Sequence, residues 1–584
     1  MTSWSDLFEH SGLRRAIAVA LIAVTVIFCA SSGAKSAIEG DSADIGSPGK
    51  TLTGNYLAAR HASRVRQDGA AADFLMAALK QSPDDPVLVR RAYVVLLLDG
   101  RVAEAVKLAR KMVDTQDLGS LAHIVVAVDD IRGGRFAQAE AKLAQLPETR
   151  INSFLGLALK AWALYGQGKE EEARAALEGL SQEDGMQILY HLHAAILNDV
   201  TGQTEAAARH AAATVEAEAT PSLRVVQLIG GMYARMGDRE AASALYRRYL
   251  DEHPDSRLLA DAMGRLESGD TSEPLVKTVA DGAAEALFDT AGALSQRNTR
   301  ETAVVFGRLG LYLKPDFPAL QILVADMLES LDRFEDANSV YASIDASSPL
   351  ARQARLSIAV NLNRMDRFDE AAAELQSIAK DYPTDAEPLV DLGDILRGRE
   401  QFDEAVEAYD QAFARIPTLE ARHWRLLYAR GIALERAKLW PRAESDFLKA
   451  LEFEPEQPFV LNYLGYSWVE QGLNLDKALD MIERAVELRP NDGYIVDSLG
   501  WVYYRLGRYE DSVDELERAV ELRPEDPVIN DHLGDAYWEV GRTREARFQW
   551  RAALALEPDP ELKVKLESKL DKGVVKEANA AVHD

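Results

Sequence analysis

Residues 493–524 read GYIVDSLGWVYYRLGRYEDSVDELERAVELRP, and residues 525–558 read EDPVINDHLGDAYWEVGRTREARFQWRAALALEP. The two segments align at a constant offset of 34 residues, which places Gly500 on Gly534. Glycine and alanine let two helices approach closely, and a proline at the end of each segment stops the second helix. This period predicts a repeated unit of two helices joined by a turn.

A small residue opens the second helix of each unit and recurs along most of the chain. Its positions are Ala71, Ala105, Ala139, Ala173, Ala207, Ala242, Ala303, Ala337, Ala371, Ala405, Ala443, Ala478, Ser512 and Ala546. Most steps are 34 residues, but the step from Ala242 to Ala303 is 61 and contains a polar stretch at 268–282. The sequence therefore predicts about fourteen helix–turn–helix units in two arrays, six before this stretch and eight after it.

The succession of Leu-Gly, Tyr, Gly, Ala and Pro in the two quoted segments resembles the tetratricopeptide repeat (TPR) family, whereas the units around Ala105, Ala139, Ala173 and Ala207 lack the Leu-Gly pair and the proline. The resemblance implies an all-α fold, a TPR α-solenoid whose repeats stack into a right-handed superhelix. The predicted segments are a signal peptide or signal anchor at 1–34, a linker at 35–53, an N-terminal array of about six degenerate repeats at 54–265, a linker or hinge at 266–283, a C-terminal array of about eight repeats at 284–558, and a capping helix and tail at 559–584.

Composition and motifs exclude several classes of function. The chain has 94 acidic and 66 basic residues and a net charge of −28, and nucleic-acid binding needs a basic surface. Phosphate loops, HExxH and GxSxG motifs and cysteine pairs are all missing from the sequence. The sequence therefore predicts a protein that is not an enzyme, with no catalytic residue, cofactor or metal site, and with no nucleic-acid partner.

The N-terminus has the pattern of an export signal. Arg14-Arg15 precedes an apolar run at 16–30, and small residues follow it. A run of this length is short for a bilayer span, which needs about 20 residues. Phe28 stands where a lipidation signal needs a small residue before Cys29. We expect a periplasmic or cell-envelope protein, either cleaved after this segment or anchored in the inner membrane through residues 16–30, which is then its only membrane contact.

The resemblance to TPR proteins also implies a concave groove, lined mainly by the first helix of each unit. Counting Gly500 as position 8, the groove positions are 2, 5, 9, 12 and 13. Large aromatic side chains at such positions indicate a contact surface, although aromatic residues at helical spacing also fill cores. The predicted protein-binding residues are Asn462, Tyr466, Tyr494, Asp497, Trp501, Tyr504, Asp531, Asp535 and Trp538. This acidic and aromatic surface favours an apolar segment that carries Lys or Arg.

A second resemblance concerns function. The run NYLGYSWVEQGLNLDKALDMIERAVELRP at 462–490, followed by GYIVDSLGWVYYRLGRYE, resembles bacterial envelope TPR adaptors, including partners of carboxyl-terminal processing proteases. It covers residues 387–558 and implies a non-enzymatic scaffold that binds a protein partner or client. The alternative is a structural component of an envelope assembly or of a polysaccharide or outer-membrane export complex. The identity of the partner, the oligomeric state and the continuity of the two arrays stay open.

Overall fold

The computed structural model describes residues 46–574, except 114–119, 148, 184, 254, 255, 257, 272 and 297. The predicted signal or anchor at 1–34 lies outside the described residues, as do the first part of the predicted linker and the end of the tail. Among the residues that are described, no helix is both long and apolar enough to cross a bilayer.

The described residues form thirty α-helices and no strands, in two compact units that meet between Glu374 and Leu375. The first unit contains α1 Leu52–Arg64, α2 Asp68–Leu79, α3 Pro86–Asp99, α4 Val102–Met112, α5 Ser120–Arg132, α6 Phe136–Leu143, α7 Arg150–Gly166, α8 Glu170–Ser181, α9 Gln187–Val200, α10 Thr204–Ala217, α11 Leu223–Arg235, α12 Arg239–Glu252, α13 Ala260–Ser268, α14 Val279–Ala293, α15 Arg300–Leu313, α16 Pro318–Glu329, α17 Phe334–Tyr341 and α18 Ala351–Arg364.

The boundary between the units falls within one helix, α19 Phe368–Asp381. The second unit continues with α20 Glu387–Gly398, α21 Phe402–Ala414, a short 3-10 turn at Ala421–His423, α22 Trp424–Arg436, α23 Trp440–Phe453, α24 Pro458–Glu470, α25 Leu475–Leu488, α26 Gly493–Arg505, α27 Tyr509–Leu522, α28 Pro527–Glu539, α29 Thr543–Ala555 and α30 Pro560–Lys572.

The predicted register of the repeats is confirmed. Among the described residues, six helix pairs precede α13 and eight follow it, and α30 stands alone at the end. Each of the fourteen small residues that open the second helices is fully buried. Ser512, the only one that is not alanine, donates its hydroxyl to the carbonyl oxygen of Gly500 at 2.8 Å. The chain is therefore all-α and built from helix–turn–helix units, as the sequence predicts.

Glycine at position 8 explains how closely the paired helices pack. A Cβ atom added to Gly500 would lie 2.5 Å from the side chain of Leu516, and one added to Gly534 would lie 2.4 Å from Trp550. Real Cβ atoms do not approach other atoms so closely, so a larger residue at either position would push the two helices apart.

The predicted linker at 266–283 contains the end of α13 and the start of α14. Thr278 caps α14, because its hydroxyl accepts a hydrogen bond from the N–H of Asp281 at 3.1 Å while the Asp281 carboxylate accepts one from the N–H of Thr278 at 2.9 Å. The compact units divide the chain elsewhere, about ninety residues further on. The division of the repeats into two arrays at 266–283 stays a prediction.

Candidate protein-binding groove

We call the side of each first helix that carries positions 2, 5, 9, 12 and 13 its groove face. In the second unit the nine predicted binding residues lie on the groove faces of α24, α26 and α28. Their exposure differs. Tyr494 is 52% exposed, whereas Asp497, Asp531 and Asp535 are buried. The remaining five are half-buried: Asn462, Tyr466, Trp501, Tyr504 and Trp538.

A stack of three aromatic rings occupies the centre of this face. The Trp501 ring lies parallel to Tyr504, with ring centroids 4.8 Å apart, and to His532 on its other side, at 4.1 Å. The Trp501 Nε1 donates to a carboxylate oxygen of Glu470 at 2.7 Å, and Arg505 donates to the same oxygen at 2.8 Å. Trp501 is therefore held in one orientation, with only part of its surface in contact with the chain.

His532 joins α28 to α26. Its Nδ1 lies 2.9 and 3.1 Å from the two carboxylate oxygens of Asp497. Burial opposes the charged imidazolium, but the charge and hydrogen bond of Asp497 outweigh that effect and raise the pKa of His532 above its ordinary value. A protonated His532 pairs with Asp497, so this carboxylate is already engaged within the unit.

The two remaining acidic positions bind the chain's own C-terminal helix. The Lys569 ammonium of α30 donates to both oxygens of Asp531, at 2.7 and 2.8 Å, and to Asp535 at 2.7 Å. One turn earlier, the fully buried Leu566 joins the hydrophobic cluster that contains Trp550. The helix α30 therefore covers the groove face of α28 as a further first helix would.

These contacts change the proton affinities of the groups involved. Burial and the neighbouring Asp531 raise the pKa of Asp535 to about 6, although Lys569 opposes them. Burial alone would lower the pKa of Lys569, but the two carboxylates outweigh it and raise that pKa. Lys569 therefore lies between two carboxylates, and one of them, Asp535, is protonated at a higher pH than an ordinary aspartate.

Trp538 also contacts the C-terminal segment. Its ring lies against Gly573, immediately after α30, where an added Cβ atom would come within 2.0 Å of it. Its ring centroid is 5.5 Å from that of Trp550. Three of the nine predicted binding residues, Asp531, Asp535 and Trp538, are therefore already in contact with the C-terminal segment that includes α30 and Gly573.

The groove faces of α24 and α26 are more open. The Asn462 side-chain oxygen is shielded from solvent and has no hydrogen-bond partner among the described residues. Burial, Glu470 and Asp497 raise the pKa of Tyr466, which stays a neutral hydrogen-bonding group at pH 7. At the edge of the face, Arg523 lies over the exposed ring of Tyr494, with Cζ 5.0 Å from the centroid. This stretch combines aromatic surface, an unpaired amide oxygen and carboxylate charge.

The groove faces of the first unit are filled by the chain itself. The helices α14 and α15 pack against the first helices α3, α5, α7 and α9. Trp162, at position 9 of α7, is 1% exposed, and an added Cβ atom on Gly282 of α14 would lie 2.0 Å from it. Positions 2, 5 and 9 of α7 and α9 are all apolar and buried: Leu155, Ala158, Trp162, Leu189, Leu192 and Ile196.

Polar contacts fix α14 in this position. Glu285 of α14 forms a buried ion pair with Arg224. A carboxylate oxygen of Asp289 lies 2.9 Å from Nε2 of His193, within hydrogen-bond distance. Tyr312 of α15 donates its hydroxyl to Asp129 at 2.8 Å. Buried charges must be paired to be tolerated, so these contacts specify one position of the two helices.

Sequence reasoning missed two contributors to the second unit's groove face, His532 and Lys569. Glu470 and Arg505 lie at groove position 13, which the sequence predicts, although they are not among the nine predicted binding residues. A signal existed for Lys569, because it follows Asp535 by 34 residues and therefore continues the column of position 9. For His532 no periodic signal exists, since the corresponding position holds Ser498 in the preceding unit and Tyr463 in the unit before it. Within the described residues, no group of three or more His, Cys, Asp or Glu side chains is arranged to hold a metal ion.

Comparisons with known families match the repeats. A model described as "TPR repeat" matches residues 500–541, and models described as "Tetratricopeptide repeat" match residues 390–458, 228–256 and 353–385. A TPR repeat-containing protein of Pseudomonas aeruginosa is 33% identical over 87 residues. The matched segment is 15% of each chain, so this chain spans only about 15% of the length of that curated relative.

Solved structures that match this chain include the following two. The APC/C hetero-tetramer Cut9–Hcn1 has a TM-score of 0.37 and 14% identity, over 90% of this chain and 96% of that one. A tetratricopeptide repeat protein of Parabacteroides merdae has a TM-score of 0.36 and 15% identity, over 44% of this chain and 97% of that one. Repeats of this kind generally mediate contacts between proteins.

Proposed function

As this chain is a tetratricopeptide repeat protein, we propose that it is a non-enzymatic adaptor of the bacterial cell envelope that binds a partner protein on the groove faces of α24 and α26. The observation that supports this proposal most directly is the difference between the groove faces of the two units. Positions 2, 5 and 9 of α7 and α9 are apolar and buried, whereas the groove faces of α24 and α26 carry half-buried Tyr466 and Trp501 and the oxygen of Asn462, which has no hydrogen-bond partner within the part of the chain that the structure describes. Partly exposed aromatic residues held in fixed orientations are typical anchors of protein interfaces.

The chemistry of this face defines the partner. Glu470 and Asp497 place carboxylates on it, paired with Arg505 and His532, and the half-buried Tyr466 and Trp501 add aromatic surface. An apolar segment carrying Lys or Arg complements such a surface, because desolvated charge pairs favour the matching partner over others. The chain's own Lys569, bound by Asp531 and Asp535, is a cation of this type.

The envelope location is supported by the basic, apolar and small-residue succession at the N-terminus. Within that setting a role as adaptor of a carboxyl-terminal processing protease follows from the resemblance over residues 387–558. The N-terminal mass of the protein purified from its native envelope tests the location: a start after residue 32 or 34 supports export with cleavage, and an intact apolar segment in the membrane fraction supports an anchor.

Binding is tested by affinity capture from an envelope extract with the wild-type chain and a Tyr466→Ala/Trp501→Ala variant. We expect the variant to lose a defined set of partners that the wild-type chain retains. The matched control is Phe548→Ala, which removes an aromatic ring that is 67% exposed on the second helix α29. Partner sets that are the same for all three proteins would contradict the groove assignment.

A purified interaction is then measured directly. The dissociation constant of a captured partner should rise at least tenfold in the double variant and should rise with salt, since charge complementarity contributes to it. A partner that binds the double variant and the wild-type chain equally would place the interface elsewhere.

A further inference from the structure

A cavity of about 410 Å³ lies in the first unit, away from the groove faces of the second. It is formed by the turn between α3 and α4, the start of α4, the end of α5 and the second half of α15. Its charged lining residues are Arg101, Arg132, Arg308 and Glu104, and Tyr312 lies beside them. Arg101 is paired with Asp73 and Glu104, which leaves Arg132 and Arg308 as the lining cations without an ion pair among the described residues.

Arg308 is the central cation of this cavity. Its Nε is shielded from solvent and has no hydrogen-bond partner among the described residues. The guanidinium packs on Gly100, where an added Cβ atom would lie 3.1 Å from Cζ and 3.2 Å from Nε. Burial lowers the pKa of Arg308, because the charged guanidinium is less stable away from water.

The nearby carboxylates do not satisfy Arg308. Asp336 is bonded to Arg333, at 2.8 Å from its Nε. Burial raises the pKa of Asp99 above its ordinary value, and within the described residues no hydrogen bond joins its carboxylate to Arg308. Glu104 accepts two hydrogen bonds from Arg101, at 2.8 and 3.0 Å. Among the described residues, the guanidinium of Arg308 therefore has no carboxylate bound to it through two oxygen atoms, which is the arrangement that its planar group binds best.

Two further features of the cavity favour a negative charge. Arg132 lies over the ring of Tyr312, with Cζ 4.1 Å from the centroid, and forms no ion pair among the described residues. The eleven-residue helix α4 begins here without a side-chain cap on its N-cap residue, Arg101. The first N–H groups of a helix have no intrahelical partner and carry partial positive charge.

We propose that this cavity is a binding site for a small oxyanion, a phosphate or carboxylate group held by Arg308 and Arg132 and by the first N–H groups of α4. The guanidinium edge of Arg308 and the start of α4 converge at Gly100, which has no side chain to separate them. A helix N-terminus beside an arginine is a recurrent way of binding anions of this type. The site is independent of the partner-binding groove.

The test is binding of inorganic phosphate and of citrate to the full chain, by isothermal titration calorimetry and by thermal unfolding at constant ionic strength set with NaCl. We expect both anions, or one of them, to bind and to raise the unfolding temperature of the first unit. Preference between the two separates a phosphate group from a carboxylate group as the natural ligand.

The decisive variant is Arg308→Met, with Arg132→Gln as a second variant in case the first does not fold. Each should weaken anion binding at least tenfold, whereas the control Arg508→Met, at an exposed surface ion pair, should leave it unchanged. The proposal is overturned if neither anion binds the wild-type chain beyond the NaCl reference, or if the folded variants bind it with unchanged affinity.

Discussion

Trp162 and Trp501 occupy the same position of their repeats, in the first and second unit respectively, and they have opposite surroundings. Trp162 is 1% exposed and is covered by α14 of its own unit. Trp501 is half-buried, and its ring stacks on Tyr504 and His532 while no other helix among the described residues of the unit covers its outer edge as α14 covers Trp162. One repeat geometry therefore presents either a core or a candidate binding surface, and the difference lies in whether another part of the unit packs against the groove face.

The residues around the two tryptophans match these roles. Trp162 shares its groove face with Leu155 and Ala158, which are apolar, whereas Trp501 shares its face with Tyr494 and Asp497. An apolar groove face must be buried to contribute to stability, since each square ångström of apolar surface removed from water contributes about 25 cal/mol. A polar aromatic face is stable without a cover, which leaves it free to bind.

The largest expected effect is the loss of stability on removing Trp162. Trp162→Ala should lower the free energy of unfolding of the first unit by about 4 kcal/mol, because it leaves a large cavity between α7 and α14. The same change at position 501 should cost only about 1 kcal/mol of stability, since that ring is half exposed. Denaturant unfolding followed by hydrogen exchange of α7, α14 and α26 measures both.

Trp162→Phe is the control for this comparison. It keeps a large ring and removes an indole N–H that is buried without a partner among the described residues, so it should cost far less than the alanine change. Equal losses of stability for the alanine variants at 162 and 501 would mean that the two groove faces are covered to the same degree.

The second effect concerns Lys569, which covers the last groove face of the second unit. Lys569→Met should destabilise the docking of α30 by about 3 kcal/mol, because Asp531 and Asp535 would face each other without a counter-charge. Hydrogen exchange of residues 560–572 reports this loss. Lys565→Met, on an exposed position of the same helix, is the control and should leave the protection of α30 unchanged. Unaltered protection in the Lys569 variant would show that apolar contacts alone hold α30.

The third effect is a pH dependence that belongs to the end of the second unit. The folded pKa values of Asp535, about 6, and of His532 both lie above their ordinary values, so the folded state holds protons that the unfolded state has released. Stability contributed by these groups is therefore greatest at mildly acidic pH and is lost as pH rises from about 4 to above 7, by on the order of 2 kcal/mol.

Unfolding of α28 and α30 measured between pH 4 and pH 8 checks this prediction. Asp535→Asn should remove most of the slope between pH 4 and pH 6, and His532→Gln should remove the part near neutral pH. A rise in stability toward alkaline pH would contradict the assigned directions. In the first unit, burial and, to a smaller extent, the charge of Asp289 raise the pKa of Glu218 to about 7. The stability of the first unit should therefore also fall as the pH rises toward 7.

The fold was more predictable than the site. The 34-residue period located all fourteen buried small residues, because close packing of two helices admits few residue types at that position. The period also located Trp501 and Tyr504 on one face. It did not by itself reveal that Lys569 neutralises Asp531 and Asp535, because α30 lacks the other repeat residues and only the 34-residue step from Asp535 to Lys569 marks the contact. The covering of Trp162 by α14 was equally hidden, since Gly282 lies 120 residues further along the chain.

The smallest effect sharpens the comparison at the turns between paired helices. The first unit has glycine at many of these turns, as at Gly168 with φ +77°, whereas Lys438 of the second unit adopts φ +62°. A non-glycine residue in this left-handed region costs about 1 kcal/mol. Lys438→Gly should therefore stabilise the second unit by up to about 1 kcal/mol, after the larger chain entropy of glycine in the unfolded state is subtracted.

The reverse change is available in the same unit and provides the matched control. Gly507 has φ +76°, and an added Cβ atom there would meet no atom within 4 Å, so Gly507→Lys tests the backbone alone. We expect it to destabilise the unit by about 1 kcal/mol in denaturant unfolding. If both changes alter stability in the same direction, the turn is not governed by backbone conformation, and the charge of the lysine must contribute instead. Opposite changes of similar size would show that backbone conformation governs these turns of the second unit.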